Sequence, residues 1–350
     1  MDLFRYMASE GHEQLIVGHD RETGLQALIA IHNTTLGPAL GGCRLWAYRT
    51  FEDAAMDALR LSKIMTYKAA ISGLPFGGGK AVINARPQDK TPALLAAFGR
   101  LINSMAGLYI TAEDVGMTVA DLVLIKQVTR YATGVPEDQG GGGDPSVLTA
   151  IGVFHGMRRC LQEALGEDSL KDRTVAIQGL GKVGMQLAHL LHQEGANLIV
   201  TDLNRDRVSQ AVKAFKAKAV SPMAIYQVPC EIFAPCALGS ILNTRTIPKL
   251  RCRIVAGAAN NQLSEPADGR RLNRRRILYA PDYVINAGGL IHIASELEGY
   301  DRAKVEQRTK GIAETLGRVF EYAALKKISP VEAADRMALE RIRAARRSTA

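Results

Sequence analysis

The sequence is short of cysteine, tryptophan and long apolar runs, and each shortage excludes something. No stretch reaches the ~18 uninterrupted apolar residues that a membrane-spanning helix needs, so no span is expected. The N-terminal Met1-Asp-Leu-Phe-Arg-Tyr6 lacks the basic-then-apolar order of a secretion signal, and the expected location is cytoplasmic. The five cysteines (Cys43, Cys160, Cys230, Cys236, Cys252) are odd in number, scattered and never spaced C-x-x-C. That predicts reduced thiols and neither a disulfide framework nor a metal site. There is one tryptophan, and neither arginine cluster contains an aromatic residue, so the basic-aromatic interleaving of single-strand nucleic-acid binders is missing. Those clusters, Arg270, Arg271, Arg274, Arg275 and Arg276, then Arg341, Arg343, Arg346 and Arg347, account for the whole net charge of +9. They read as a solvated helix end and a frayed tail, with an RNA or acidic-partner patch as the alternative.

What is present is glycine in informative places. Val175, Ala176 and Ile177 form the short apolar run of a buried parallel strand. Gly179, Leu180, Gly181, Lys182, Val183 and Gly184 follow with the spacing G-x-G-x-x-G, and a helical pattern runs from Lys182 to a stop at Gly195. A second apolar run, Leu198 to Thr201, ends on Asp202. Strand, glycine turn, helix, strand and acid form the order a dinucleotide site requires. Gly179 turns the chain, Gly181 admits a pyrophosphate to the helix N-terminus, Gly184 lets helix and strand pack, and Asp202 reaches the adenosine ribose. A carboxylate at that strand end favours NAD over NADP, although Arg205 and Arg207 lie near enough to offset part of the repulsion.

A chain of 350 residues, 47% hydrophobic and 23% charged, accommodates two globular domains. Residues 1–33 predict a short helix and a hairpin of two strands, 14–18 and 25–32. The glycine-rich 35–46 is too irregular to assign to one element. Thr50-Phe-Glu-Asp53 resembles a capping box opening a helix that ends near Lys68. Gly77-Gly-Gly-Lys80 then runs into a strand through Ile83. It is not a triphosphate loop, because Ala81 follows the lysine and no helix follows. A helix over 91–105 and a strand over 108–111 lead to Glu113 and Asp114, at the strand end where α/β active sites are built. A helical stretch near 118–130 precedes residues 135–145, whose Gly140–Gly143 run predicts a linker. Beyond it a helix starts at Asp144-Pro-Ser146. After Asp202 a helix over 206–215 alternates with strands at 231–234, 253–256 and 277–280, the pattern of a doubly wound sheet. Helices near 287–298, 302–327 and 330–345 close the chain. The expected architecture is α/β in two domains: residues 1–134 with a C-terminal helix at 329–350, and a Rossmann-type domain over 146–328.

An enzyme that passes hydride from an amino acid to a nicotinamide needs a cation for the α-carboxylate and a base to activate water. It also needs a group exchanging protons with the amine, and a dry wall that aligns the reacting carbon. Lys68, Lys80 and Asp114 are candidates for the first three. Two ammonium groups in one cleft repel, so one is expected to shift toward neutrality and serve as a base. From spacing alone each lysine also reads as an ordinary surface residue, and Glu113 as a structural acid.

Seven strings in one order resemble the amino-acid dehydrogenase family, in its leucine, phenylalanine, valine and tryptophan dehydrogenase branch. They are Gly37-Pro-Ala-Leu-Gly-Gly-Cys-Arg44, Met65-Thr-Tyr-Lys68, Gly77-Gly-Gly-Lys80, Thr111-Ala-Glu-Asp-Val-Gly116, Pro235-Cys-Ala-Leu-Gly239, Ala256-Gly-Ala-Ala-Asn-Asn-Gln-Leu263 and Pro281-Asp-Tyr-Val-Ile-Asn-Ala-Gly-Gly289. The resemblance implies a substrate domain and an NAD domain separated by a cleft, and a homo-oligomer. By it, Lys68 binds the substrate carboxylate, Lys80 activates the water and Asp114 exchanges protons with the amine. Asn260 and Asn261 lie against the nicotinamide ribose and substrate, Cys236 and Ala237 line the cofactor site, and Gly41 and Gly42 admit the substrate to the backbone.

The same resemblance bears on specificity. Glutamate dehydrogenases carry a lysine at the position of Leu40, which an apolar residue cannot replace as partner of a side-chain carboxylate. With Ala112, Leu290 and Ile293 completing the pocket, an aliphatic substrate is implied. A phenylalanine or tryptophan dehydrogenase is the alternative within the family. His292 and Cys43 depart from the asparagine and threonine common in leucine enzymes, and His292 is given no role. A non-catalytic NAD-binding sensor or an RNA-associated protein is the alternative outside it.

Overall fold

Strict alternation of side chains along the first strands decides how the N-terminal half is built. The computed structural model describes residues 2–348. Helix α1 (Leu3–Glu10) is opened by the Asp2 carboxylate, which accepts from Arg5 N–H, and closed by Gly11 in the left-handed region. The hairpin of β1 (Gln14–Asp20) and β2 (Leu25–Asn33) follows, its turn closed by Asp20 accepting from Thr23. Next come β3 (Ala39–Trp46), α2 (Phe51–Ile71), β4 (Gly77–Asn84), α3 (Pro92–Ser104), β5 (Tyr109–Glu113) and α4 (Val119–Lys126). The sheet order is β1-β2-β4-β3-β5, with β3 parallel to both its neighbours. Leu28, Ala30 and Val82 pack on the α2 side, while Ala27, Ile29, Ile31, Ala81 and Ile83 pack with Phe98 and Ile102 of α3 on the other.

Residues 35–46, unassigned in the sequence reading, hold the central strand β3. Its glycines hid it. A Cβ at Gly41 would overlap the Gly79 carbonyl, and one at Gly42 would sit 2.6 Å from the Glu113 carbonyl oxygen, so the strand fits between its neighbours only because these two positions lack side chains.

The second half supplies α5 (Ser146–Leu165), β6 (Thr174–Gln178), α6 (Lys182–Gln193), β7 (Asn197–Thr201), α7 (Arg205–Phe215), β8 (Lys218–Ala219), β9 (Ile232–Pro235) and β10 (Ile254–Val255). It continues with α8 (Ala267–Arg274), β11 (Leu278–Tyr279), α9 (Asp282–Ile285), α10 (Gly288–Leu297), α11 (Arg302–Lys310), α12 (Ile312–Lys326) and α13 (Pro330–Ser348). Six strands pair in the order β11-β10-β9-β6-β7-β8, all parallel. Counted from β6 this is the doubly wound order 3-2-1-4-5-6, whose switch point lies between β6 and β9. The helix expected over 302–327 is two, α11 and α12, separated at Gly311.

Contacts divide the chain differently from the sequence boundaries. One unit holds the residues up to Asp144, with His292–Asp301 and the residues from Ala338 on; the other holds Pro145–Ile291 and Arg302–Met337. Residues 135–144 are therefore not a free linker. The Glu296 carboxylate accepts from the Thr133 hydroxyl (2.6 Å), Gly134 N–H (2.8 Å) and Gly142 N–H (2.9 Å), and the buried His292 ring occupies the space where a Gly142 side chain would start. The C-terminal contribution to the first unit begins at Ala338 rather than 329. Ala338 and Ile342 pack with Ala70, while Val331 belongs to the core of the second unit. Arg341, expected in a frayed tail, donates to the carbonyls of Ala69, Ala70 and Leu74 at the end of α2. The other arginine cluster is also engaged: Arg270 with Glu332, Arg271 with Glu265 and Asp268, and Arg275 with the Leu250 carbonyl.

Two buried histidines tie α1 and β2 to α2. His32 and His12 meet edge to face at 4.8 Å; His32 Nε2 donates to the Glu10 carbonyl (3.1 Å), and its Nδ1 lies 2.8 Å from Thr66 Oγ1. Burial first, then the neighbouring His12, lowers His32 from 6.5 to about 4. The unfolded chain therefore takes up this proton before the folded one, and stability falls as pH drops from 6.5 toward 4. The loss approaches a limit on the order of 3 kcal/mol. Melting temperatures from pH 7 to 4.5 are expected to fall more steeply for the wild type than for His32→Gln. Parallel curves would refute the assignment.

Candidate active site

Three adjacent parallel strands bring the first group of side chains together. Cys43 of β3 is in register with Ala81 of β4 and with Glu113 of β5. Lys80 and Asp114, one residue before and one after those positions, thereby flank β3. Lys80 Nζ donates to Asp114 Oδ2 at 2.6 Å, with only 7% of the lysine side chain exposed. Burial opposes ionisation of Asp114, yet the Lys80 and Arg44 charges outweigh it and hold the carboxyl below its usual range. Lys80 thus stands as the cation of an ion pair, which the sequence reading, balancing it against Lys68, did not anticipate. Lys68 is buried in the last turn of α2, the helix that crosses β4 so closely that Thr66 fills the place of a Gly78 side chain.

Leu40 is fully buried in β3, and Ala112 is buried in β5. Gly41 and Gly42, expected to admit substrate, are first required by packing. Their missing side chains make room for the Gly79 carbonyl and for Glu113 and Asp114. The Gly41 carbonyl accepts from the buried Tyr109 hydroxyl (2.5 Å). Leu290 and Ile293 both lie on α10, but Leu290 falls in the second unit and Ile293 in the first.

In the second unit the glycine turn sits at the switch point, between the C-terminal ends of β6 and β9. Gly179 has φ +100° and packs on Ala237; a Cβ at Gly184 would overlap the Gly179 carbonyl, with Cys236 close behind. A Cβ at Gly181 would meet nothing within 4 Å. Helix α6 starts there, across Lys182, Val183 and Gly184, with no side chain capping its N-terminus. Open space before uncapped amides fits a pyrophosphate. Asp202 accepts from Leu180 N–H (2.6 Å) through Oδ2 and from Asn204 N–H (2.8 Å) through Oδ1, and so clamps the turn to the end of β7. Beside it, the loop after β9 reaches the loop after β10: Ser240 N–H donates to the Asn261 carbonyl (2.6 Å), and Asn261 adopts φ +51°.

Sequence reasoning left four residues without a role. Arg44 donates to Asp114 (3.1 Å) and Asp57 (2.7 Å), and Tyr48 donates to the same Asp57 oxygen (2.7 Å). The available signal was an arginine inside a strand otherwise made of apolar and glycine residues. Asn286 donates to Asn260 Oδ1 (2.8 Å) and to the Ala258 carbonyl (3.1 Å), while its own Oδ1 is buried without a partner. No periodicity pointed to it. Among the described residues no group of three or more His, Cys, Asp or Glu side chains is placed to hold a metal, and no helix is long and apolar enough to cross a membrane.

The family model of the Glu/Leu/Phe/Val dehydrogenase dimerisation domain matches residues 12–131, and that of glutamate/leucine/phenylalanine/valine dehydrogenase matches 140–205 and 200–349. The chain is similar to the leucine dehydrogenase of Geobacillus stearothermophilus, 52% identical over 99% of this chain and 95% of that protein. It is also similar to a phenylalanine dehydrogenase of Caldalkalibacillus thermarum, 47% identical over 95% and 91%. Among solved structures, L-tryptophan dehydrogenase from Nostoc punctiforme is 42% identical, covers 98% of this chain and 99% of its own, and superposes with a TM-score of 0.86.

The two glycines of the turn predict opposite phenotypes. Gly184→Ala is expected to lower the melting temperature, with a cost of about 1–3 kcal/mol for the overlap. Gly181→Ala, at φ −67°, is expected to leave it unchanged and weaken dinucleotide binding measured by calorimetry. Equal losses of stability would show that Gly181 is also a packing position.

Proposed function

The chain belongs to the glutamate/leucine/phenylalanine/valine dehydrogenase family and is an amino-acid dehydrogenase, and from that premise we propose that it converts an apolar L-amino acid, leucine, valine or isoleucine by preference, with water and NAD into the 2-oxo acid, ammonium and NADH. The observation that carries the substrate class is Leu40, apolar and fully buried in the strand between Lys80 and Asp114. A substrate side-chain carboxylate there would stay unpaired at a cost of several kcal/mol, roughly the 2–7 of an unsatisfied buried polar group or more. Identity of 52% to a leucine dehydrogenase over nearly the whole chain supports the same choice.

The roles follow from position. Lys68 holds the substrate α-carboxylate. Asp114 takes a proton from the amine, so that a neutral nitrogen lone pair assists departure of hydride from the α-carbon. NAD, when bound, accepts that hydride. Lys80, neutral once it has released its proton to solvent as substrate binds, then orients water for attack on the iminium carbon and receives the water's proton. Asp114 returns a proton to the nitrogen as ammonia leaves, and the 2.6 Å ion pair is a direct route for protons between the two. Ala112 and Ile293 wall the substrate side chain, and Gly41 and Gly42 keep the backbone beside it slim.

In the second unit Gly179 to Gly184 would hold the pyrophosphate, Asn260 and Asn261 the nicotinamide ribose, and Cys236 and Ala237 the wall beside it. Asp202, already clamping the turn, would accept from the adenosine ribose hydroxyls and disfavour a 2′-phosphate, which supports NAD over NADP. Arg205 and Arg207 are exposed on α7 and moderate that preference. The match of residues 12–131 to a dimerisation domain supports a homo-oligomer. An aromatic preference is the competing reading, supported by the phenylalanine and tryptophan enzymes among the relatives.

Initial rates with leucine, valine, phenylalanine, tryptophan and glutamate, each with NAD and NADP, test the proposal. Highest kcat/KM is expected for an aliphatic substrate with NAD; preference for glutamate would overturn the argument from Leu40. Pocket walls distinguish single methylenes by only ~1–3 kcal/mol, so leucine and valine rates should overlap. Lys80→Ala is expected to abolish turnover while NAD binding persists in calorimetry. Loss of both would mean the residue has been given the wrong task.

A further inference from the structure

Lys80 and Asp114 do not end in the protein matrix but in a longer row of alternating charge. Arg44 Nε donates to Asp114 Oδ2 at 3.1 Å, the same oxygen that accepts from Lys80. Arg44 Nη1 donates to Asp57 Oδ2 at 2.7 Å, Tyr48 donates to that oxygen at 2.7 Å, and Arg60 donates to Asp57 Oδ1 at 3.3 Å. Asp57 lies on α2, eleven residues before Lys68 on the same helix, and only 14% of its side chain is exposed. The planar fork of a guanidinium makes two contacts in fixed directions, so a single side chain spans from the helix to the acid after β5.

We propose that Arg44 is a positioning residue for amino-acid oxidation, its guanidinium locked between Asp57 and Asp114 so that the Asp114 carboxylate is held in one rotamer with Oδ2 occupied by cations. Two consequences follow. The acid cannot swing away from Lys80, and proton exchange with the amine is directed to the remaining carboxylate capacity. The second cation also offsets the burial that opposes ionisation. Among the described residues the Cys43 thiol, pushed well up by burial, and the buried Tyr109 hydroxyl, also raised by burial, face Asp114 as neutral groups; the charges that lower it are Lys80 and Arg44, helped by the Val115 N–H. Tyr48 is likewise raised by burial and by Asp57, which keeps it a donor to the anchor. This inference rests on Asp114 exchanging protons with the amine.

The experiment is a pH profile of kcat/KM for the preferred amino acid in Arg44→Gln, Arg44→Lys, Asp57→Asn and Asp114→Asn, with melting temperature and NAD affinity as controls. Arg44→Gln is expected to lose about 10–100-fold in kcat at neutral pH, with a small change in KM. Its acid limb, which belongs to the coupled Lys80–Asp114 pair, should move up by about one pH unit as a neighbouring cation is lost. Arg44→Lys should restore the limb but not the full kcat, because charge returns without the fork. Asp57→Asn should keep the limb and lose part of kcat. A folded, NAD-binding Arg44→Gln with the wild-type limb and kcat would overturn the proposal. Should Arg44→Gln fail to fold, the Arg44→Lys and Asp57→Asn profiles decide, and wild-type kcat in both would overturn it equally. Turnover retained by Asp114→Asn would instead refute the role of Asp114 itself.

Discussion

Close approach of backbone to backbone is the constraint on which the first unit depends. Helix α2 lies on β4 with no side chain between them at Gly78, where Thr66 fills the gap, and β3 lies against β4 with none at Gly41, where the Gly79 carbonyl fills it. Each missing Cβ removes a spacer. The buried Lys68 on the helix and Lys80 on the strand are set by that approach, and Asp114 is drawn in through the gap left at Gly42. Lys80 and Asp114 can be largely desolvated beside each other because the row continues to Arg44 and Asp57, which alternates sign and leaves no carboxylate unpaired.

The second unit solves a different problem with the same residue type. Its sheet is parallel, and the apolar runs of β6, β7 and β9 are long enough to be read directly as buried strands, whereas the short exposed β8 is not. Glycine is confined to the switch point, where Gly179 turns, Gly184 packs and Gly181 leaves space. Asp202 does two jobs there. It satisfies the Leu180 amide, which fixes the turn, and it sits at the end of β7, where the proposed reading puts the cofactor ribose.

Legibility in the sequence followed the physics of each element. The glycine fingerprint, the hairpin and the long capped α2 were readable because their signals are local: period, caps and turn residues within a few positions. Strand β3 was not, because its glycines answer to Gly79 and Glu113, far away in sequence. The Gly140–Gly143 run read as a flexible linker for the same reason. Its order comes from Glu296 and His292, about 150 residues later. Spacing alone left Lys68 and Lys80 readable as ordinary surface charges and put Asp114 only at a strand end; the roles expected of all three came from resemblance to a family. Arg44 stood within one of the matching strings and still went unremarked, since its meaning is a bridge from Asp57 to Asp114 that no linear pattern displays.

The unit that carries the lysines is closed by pieces from the far end of the chain. Its glycine-rich segment is bonded by Glu296, and the end of α2 is capped by Arg341, whose fork takes up the Ala69, Ala70 and Leu74 carbonyls just past Lys68. During synthesis on the ribosome, therefore, the N-terminal sheet emerges first but waits for α13 before the end of α2 is tied down. The nucleotide-binding sheet, complete in strands by Tyr279, assembles in the interval. A message broken or stopped a few codons before Arg341 would yield a polypeptide with Lys68, Lys80 and Asp114 all encoded and the clasp on the end of α2 missing.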